Sequence, residues 1–402
     1  MKKTAFFILF SIPFLLFSSG CWNSRELGEL GIAVALGIDK EGEQFVATVQ
    51  LVNSGEISNL QGSGTRAPVV IYQEKGKTIF EAIRKLTTTA PRKTFYPHLR
   101  VLVIGEELAR EGFSKSLDLL VRDQEMRPDF YILIAKNSKA SDVLSIIPPV
   151  EKIPAQDMFS KLETSQDVWA PTLGVTLGEL IEDLVVSGKQ PVISGIEILG
   201  DYNSGKMMEN LQSSDPPSRL KFTSFSVFQM DKLQGWLSVD ESKGVNYING
   251  NVKSTIVVVP CPNGENGHVS IELLRTNQKR KSDVKANHPE VSLSLKAEGN
   301  IGEISCSADL TKQKSIKDLE KLTEADIKDV MMQSIKVAQK EYKLDIFGFG
   351  LDVHRSNPKY WKTVKNNWDE KFSTMTVNID VEVSIRKFGK RTNSFISELE
   401  GS

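Results

Sequence analysis

Five stretches in the second half of the chain alternate apolar and polar residues: RLKFTSFSVF, VKSTIVVVP, HVSIELL, VSLSLKAEGNIGEIS and FSTMTVNIDVEVSIRK. Alternation at period two sends successive side chains to opposite faces, so each stretch reads as a strand with one face buried. One long helical pattern interrupts them, from Glu324 to about Lys343, with Ile327, Met331, Ile335, Ala338 and Tyr342 on its apolar face. Thr323, with Asp326 three residues on, reads as its capped start. A shorter helix, PKYWKTVKNNW, precedes the last strand. The second half is expected to be strand-rich with one long helix.

The first half mixes element types. IAVALGI (Ile32–Ile38) and FVATVQLV (Phe45–Val52), joined by DKEGEQ, read as a hairpin. SRELGELG before them reads as a short helix, NSGEISNLQGSGTRAP after them as a loop, and Val69–Gln73 as a strand. TIFEAIRKLTTTA places Ile79, Ile83 and Leu86 at helical spacing, and EELAREGFSKSLDLLVRD and TLGELIEDLVV are also helical. LRVLVIG and FYILIA are unbroken apolar runs, hence buried strands, and VISGIEIL is another strand. The expected class is α+β, multi-domain, with mixed sheets and flanking helices. A chain of 402 residues has room for two or three domains. The polar, Gly- and Pro-bearing stretch 201–217 marks a linker between a domain at 21–200 and one at 218–396, the second with a possible subdivision near 260–267.

Residues 1–20 have the three parts of a secretory leader: Lys2 and Lys3, an apolar run from Ala5 to Phe17, then Ser18, Ser19 and Gly20. The run is shorter than the roughly 20 residues of a membrane span, and Pro13 weakens it further. The closing SSGC resembles a bacterial lipobox, in which the cysteine thiol takes a diacylglyceryl group and the leader is cut just before it. Ser18 departs from the Leu usual there. An ordinary signal cut with Cys21 incidental is the competing reading. Two buried acyl chains hold a protein on a bilayer where one does not. Trp22 would then sit at headgroup level or pack on the protein.

Charge and motifs exclude several classes. Lys+Arg and Asp+Glu number 50 and 51, so no basic excess points to nucleic acid, and loss of the leader removes two more lysines. With Cys21 modified, Cys261 and Cys306 either pair in an oxidising compartment or sit as isolated buried thiols. His98, His268, His288 and His354 lack the spacing of a zinc site, and no metal or cofactor is expected. Nucleophile-elbow, Walker and dinucleotide motifs are absent, and GFG at Gly348–Gly350 is too short to read as a phosphate cradle. In RDQEMRP, Arg122 and Arg127 flank Asp123 and Glu125 and favour their ionised forms, which suits an ion-pair cluster at a contact surface rather than acid–base catalysis. His98 reads as a hydrogen-bonding residue before a buried strand. The aromatic segment FGFGLDVHRSNPKYWKTVKNNWDEKF reads either as local core or as a contact surface, with Trp361 and Trp368 as candidate anchors.

Taken together, these stretches resemble one family. Cys21, Trp22, Arg25 and Glu26 match a post-lipobox CW-x-x-RE, although Asn23 stands where members often have Asp. PHLRVLVIGEELAREG, RDQEMRPDFYILIA, FSVFQMDKLQGWLSVDESKGVNYING and DIFGFGLDVHRSNPKYWKTVKNNWDEKF follow in order over nearly the whole mature chain. The chain resembles the Ger(x)C lipoproteins, the C subunits of nutrient germinant receptors in endospore-forming bacteria. The resemblance implies a subunit lipidated at Cys21 on the outer face of the spore's inner membrane. It further implies A and B subunits as partners, one with transmembrane and soluble parts and one transporter-like. No family catalytic residues carry over. A substrate-binding lipoprotein of a membrane transporter is the alternative, and an exported hydrolase would need a constellation that the sequence lacks.

Overall fold

The computed structural model describes residues 30–53, 67–262, 264–306 and 309–387. The leader, Cys21, the expected helix at SRELGELG up to residue 29, and most of the loop 53–68 lie outside these residues. The fold is α+β, with two mixed sheets flanked by helices.

The first sheet is built from β1 (Leu30–Glu41), β2 (Gln44–Val52), β3 (Val69–Gly76), β4 (Lys93–Phe95), β5 (Val101–Gly105), β6 (Tyr131–Ala135), β7 (Val192–Gly200), β8 (Ser218–Gln229) and β9 (Lys232–Trp236). Its order is β3-β2-β1-β5-β6-β7-β8-β9, with β4 alongside the start of β1. β1, β5, β6 and β7 run parallel, while β2, β3, β8 and β9 join antiparallel at the flanks. A parallel centre needs cover on both faces, and β5 shows it residue by residue. Leu102 and Ile104 enter one core, with the helices Ile79–Thr89, Ser114–Arg122 and Leu177–Val185. Val101 and Val103 enter the other, with the helices Ala140–Ser145 and Pro154–Val168.

Local chemistry sets the ends of these elements. Thr78 and Thr176 cap their helices by accepting from the backbone N–H of Glu81 and Glu179. The helical run expected from Glu106 to Asp123 is instead two helices, Glu106–Glu111 and Ser114–Arg122. Gly112 between them has φ +115°, a conformation that ends a helix and favours glycine. The stretch 201–217 carries the short helices Tyr202–Gly205 and Met208–Gln212. Within it the buried Asn210 donates to the carbonyls of Ile147 and Ser218 and accepts from Ser218 N–H. Beyond this stretch, β8 and β9 continue the first sheet.

The second sheet has the order β10 (Thr255–Pro260), β11 (His268–Lys285), β12 (His288–Ile304) and β13 (Thr376–Lys387). β11 and β12 form a long hairpin that turns at Ala286 and Asn287, both left-handed, as a tight two-residue turn requires. β13 runs parallel to β12, so a crossover must join them. The long helix Gln313–Val337 lies in that crossover. It starts at Gln313 rather than Glu324, because Thr323 does not cap it. The Thr323 hydroxyl is buried mid-helix and donates to the Leu319 carbonyl at 2.8 Å. The last helical turn, Ala338–Tyr342, is a π-turn closed by left-handed Lys343. A third core joins the long helix and the second sheet to β8, the helix Val239–Asn249 and the C-terminal aromatics. Along the free edge of β13, Val383 N–H and Ile385 N–H donate to carboxylates of the long helix, Glu324 at 3.0 Å and Glu320 at 2.9 Å.

Candidate functional site

The charged residues expected to cluster in RDQEMRP are together on the surface, but Arg122, Glu125 and Arg127 take side-chain partners from outside the motif. Arg122, in the last turn of its helix, donates to Asp118 one turn back at 2.7 Å. Arg127 pairs with Asp129 at 2.9 Å, and Lys93 of β4 donates to Glu125 at 2.6 Å. Asp123 accepts the Glu125 N–H at 2.9 Å. The hydrogen bond from Arg122 holds the Asp118 carboxyl below its usual range. The arginine side chains are 76% and 69% exposed, so these pairs add little stability and leave an accessible, mixed-sign surface. Met126, between the charged residues, is buried beneath them.

Trp361 and Trp368, candidate anchors in a segment that read either as local core or as a contact surface, are buried, at 3% and 4% exposure. Their rings meet edge to face at 5.2 Å, and His354 stacks on Trp361 at 5.6 Å. The segment folds this way around Asp345, which is 1% exposed. One carboxylate oxygen accepts the N–H groups of Phe347, Gly348 and Phe349 at 3.1, 2.9 and 3.1 Å. The other accepts Gly350 N–H at 2.7 Å and the Trp368 indole N–H at 2.9 Å. A ring of converging amides is an anion nest, and here the protein's own carboxylate fills it. Burial pushes the Asp345 carboxyl up to about 6, against the pull of those donors.

The same turn makes one of the contacts between the two halves of the chain, which also join along β7 and β8. Gln190 N–H donates to the Asp345 carbonyl at 2.8 Å. Gly188, with φ +98°, lies so close to Gly350 and Trp361 that a Cβ there would sit 2.7 Å from the indole and 3.0 Å from the Gly350 backbone. A polar cleft of about 370 Å³ opens beside this contact, lined by Glu179, Asp183, Lys189, Asn251, Arg280 and Phe347. Two of its cations are engaged: Lys189 with Asp183 at 2.7 Å, and Arg280 with Asp352 at 2.5 Å.

Two further hollows lie on the first half. A groove of about 890 Å³ runs beside the helix Pro154–Val168, with Pro148, Val150, Trp169, Leu199 and Phe222 on its walls. The Lys243 ammonium stands 3.4 Å from the centroid of the Trp169 ring, and burial pushes its pKa down. A small hollow of about 250 Å³ brings together His98, Arg100, Arg127, Asp129 and Phe159. There the Arg100 guanidinium lies 4.9 Å over Phe159, which stacks on Tyr131. His98 and Arg127 lie in separate stretches of the sequence, and their meeting is hidden there because Phe159 comes from a helix with only Ala155, Met158 and Leu162 to mark its apolar side.

Cys261 and Cys306 form a disulfide, with their Cα atoms 6.5 Å apart. Among the described residues no group of three or more His, Cys, Asp or Glu could hold a metal ion, and no helix is long and apolar enough to cross a membrane.

Comparison with known proteins covers almost all of the mature chain. A family model described as "Spore germination protein N-terminal domain" matches residues 23–198. A second, "Spore germination B3/ GerAC like, C-terminal", matches residues 223–389. Spore germination protein KC of Bacillus subtilis (strain 168) is 29% identical, over 93% of this chain and 93% of its own. Spore germination protein B3 of the same organism is 26% identical over 94% and 97%, and spore germination protein GerQC of Bacillus cereus is 20% identical over 97% and 99%. The crystal structure of the GerBC protein shares the fold, with a TM-score of 0.56 at 20% identity over 87% of this chain and 96% of that one.

Proposed function

Because the chain belongs to the GerAC-like family of spore germination proteins, we propose that it is a lipid-anchored, non-enzymatic subunit of a nutrient germinant receptor. The observation that carries this is the pair of family matches, which between them run from residue 23 to residue 389 with one short gap. The chain works beside A and B subunits on the outer face of the spore's inner membrane, held there by acylation of Cys21.

A non-catalytic role agrees with what the buried polar side chains do. Asp345 is engaged by five N–H donors. Asp39 accepts the N–H groups of Ala140 and Ser141 at the start of their helix. Gln50 bridges the Leu144 carbonyl and the Ala155 N–H. Each of these groups holds backbone in place. The exposed RDQEMRP surface remains available to meet a partner or to position the complex on the membrane.

Replacing Cys21 tests the anchor. The Cys21→Ala chain takes up no labelled lipid, leaves the membrane fraction, and supports nutrient germination poorly. Full membrane association of this variant without labelled lipid would count against lipid anchoring.

A further inference from the structure

We infer that one end of the first sheet, formed by the start of β1, by β4 and by the segments 96–100 and 122–129, is the surface that lies against the bilayer, with phospholipid headgroups as its partner. The inference rests on the proposed acylation of Cys21, and the topology supplies the rest. β1 enters at Leu30, and Leu30, Gly31 and Ile32 pair with Lys93, Thr94 and Phe95 of β4. β5 and β6 run in the same direction and begin five residues further along β1, with Val101 opposite Ala35 and Tyr131 opposite Val101, so the loops that lead into them face this end. Those loops carry His98, Arg100, Arg127 and Asp129 on the side of the sheet from which the chain arrives, about five strand residues, or roughly 17 Å, beyond Leu30.

The reach of the chain separates this end from the other. Nine peptide units join Cys21 to Leu30, and at roughly 3.6 Å each they span at most about 32 Å. The opposite end of the sheet carries Gly42 and Glu43 in the β1–β2 turn and Lys77 after β3. It lies a further ~36 Å away, the length of a twelve-residue strand. An acyl chain on Cys21 thus keeps the near end within the tether's reach of the bilayer, while the far end has no such restraint.

The near surface has the chemistry of a headgroup contact. Arg92, Arg100, Arg122 and Arg127 are exposed there, and Lys93 is half-buried. Asp118, Asp123, Glu125 and Asp129 are interspersed with them. A phospholipid headgroup offers a phosphate, which guanidinium groups bind in bidentate fashion, and often an ammonium, which carboxylates accept. The ion pairs seen here are exposed, so exchanging a carboxylate partner for a lipid phosphate costs little. The hollow between Arg100, Arg127, His98 and Phe159 is built from these loops and is where a phosphate would seat.

The test uses the full-length acylated chain in phosphatidylcholine–phosphatidylglycerol vesicles that contain nitroxide-headgroup lipid. Cys261 and Cys306 are bonded to each other, so a fluorophore can be directed to an introduced thiol. Gln124→Cys marks the near end and Glu43→Cys the far end. The expected result is at least threefold stronger quenching at residue 124 than at residue 43. Equal quenching, or stronger quenching at residue 43, in a chain that floats with the vesicles overturns the orientation and spares the anchor. A chain with intact acylation that fails to float overturns both.

Discussion

At the scale of single residues, Asp345 joins a local turn to the contact between the halves. Its side chain collects the amides of the GFG turn, and its carbonyl receives Gln190 from the first half. In Asp345→Asn the amide group must face N–H donors on at least one side, which costs about 2–3 kcal/mol at pH 7. Burial raises the carboxyl from 3.8 to about 6, so between those values the folded chain holds the proton more tightly than the unfolded chain. The contribution of this group to stability is therefore largest below about pH 4 and falls as pH rises through 6. In urea unfolding, the stability gap between wild type and Asp345→Asn narrows from pH 4 to pH 7. A gap that widens contradicts the assignment. The sequence marked this segment as aromatic and glycine-rich but left core and contact surface open. Nothing local in DIFGFG says that an aspartate two residues before the turn will fold under it. That follows from burial, which leaves a carboxylate no water and makes the turn amides its partners.

Element by element, the legible parts were those whose periodicity agrees with their surroundings. β5 and β6 are apolar throughout because helices cover both faces, and β11 and β12 alternate because one face is wet. The helix Val239–Asn249 was not legible. Its buried side includes Ser242, Lys243 and Asn246, whose polar groups find the Ser238 carbonyl, the Trp169 ring, and the carbonyls of Ala170 and Thr172. A helix buried through polar side chains leaves no apolar stripe to read. The start of the long helix was misplaced for a related reason, since a threonine that bonds back to the preceding turn looks in sequence like a cap.

β13 is an edge strand, and free edges invite pairing with other chains. Glu320 and Glu324 occupy its outward N–H groups as a neighbouring strand's carbonyls would. The Glu320→Ala/Glu324→Ala double variant loses about 1 kcal/mol per hydrogen bond. It also shows a larger apparent mass by light scattering as its concentration rises. A variant as stable and as free of association as wild type would mean that the glutamates do not protect this edge.

At the scale of the whole molecule, the resemblance carried by Cys21, Trp22, Arg25 and Glu26 and by the later motifs pointed to the family that the matches over 23–198 and 223–389 identify. What the sequence could not convey includes one of the contacts between the halves. Gly188 and Gly350 are far apart along the chain, and their contact depends on neither having a side chain. The pairing of Cys261 with Cys306 was equally hidden, because 45 residues of hairpin separate two cysteines that the folded sheet brings together. Such a disulfide suits an exported chain, in keeping with the proposed anchoring at Cys21.

The central claim is that this chain is a working subunit of a nutrient receptor. The direct measurement is the nutrient response of spores in which it is the only family member present. Deleting it abolishes germination with every nutrient, and restoring the wild-type chain brings the response back. Nutrient germination that persists after the deletion would contradict the account.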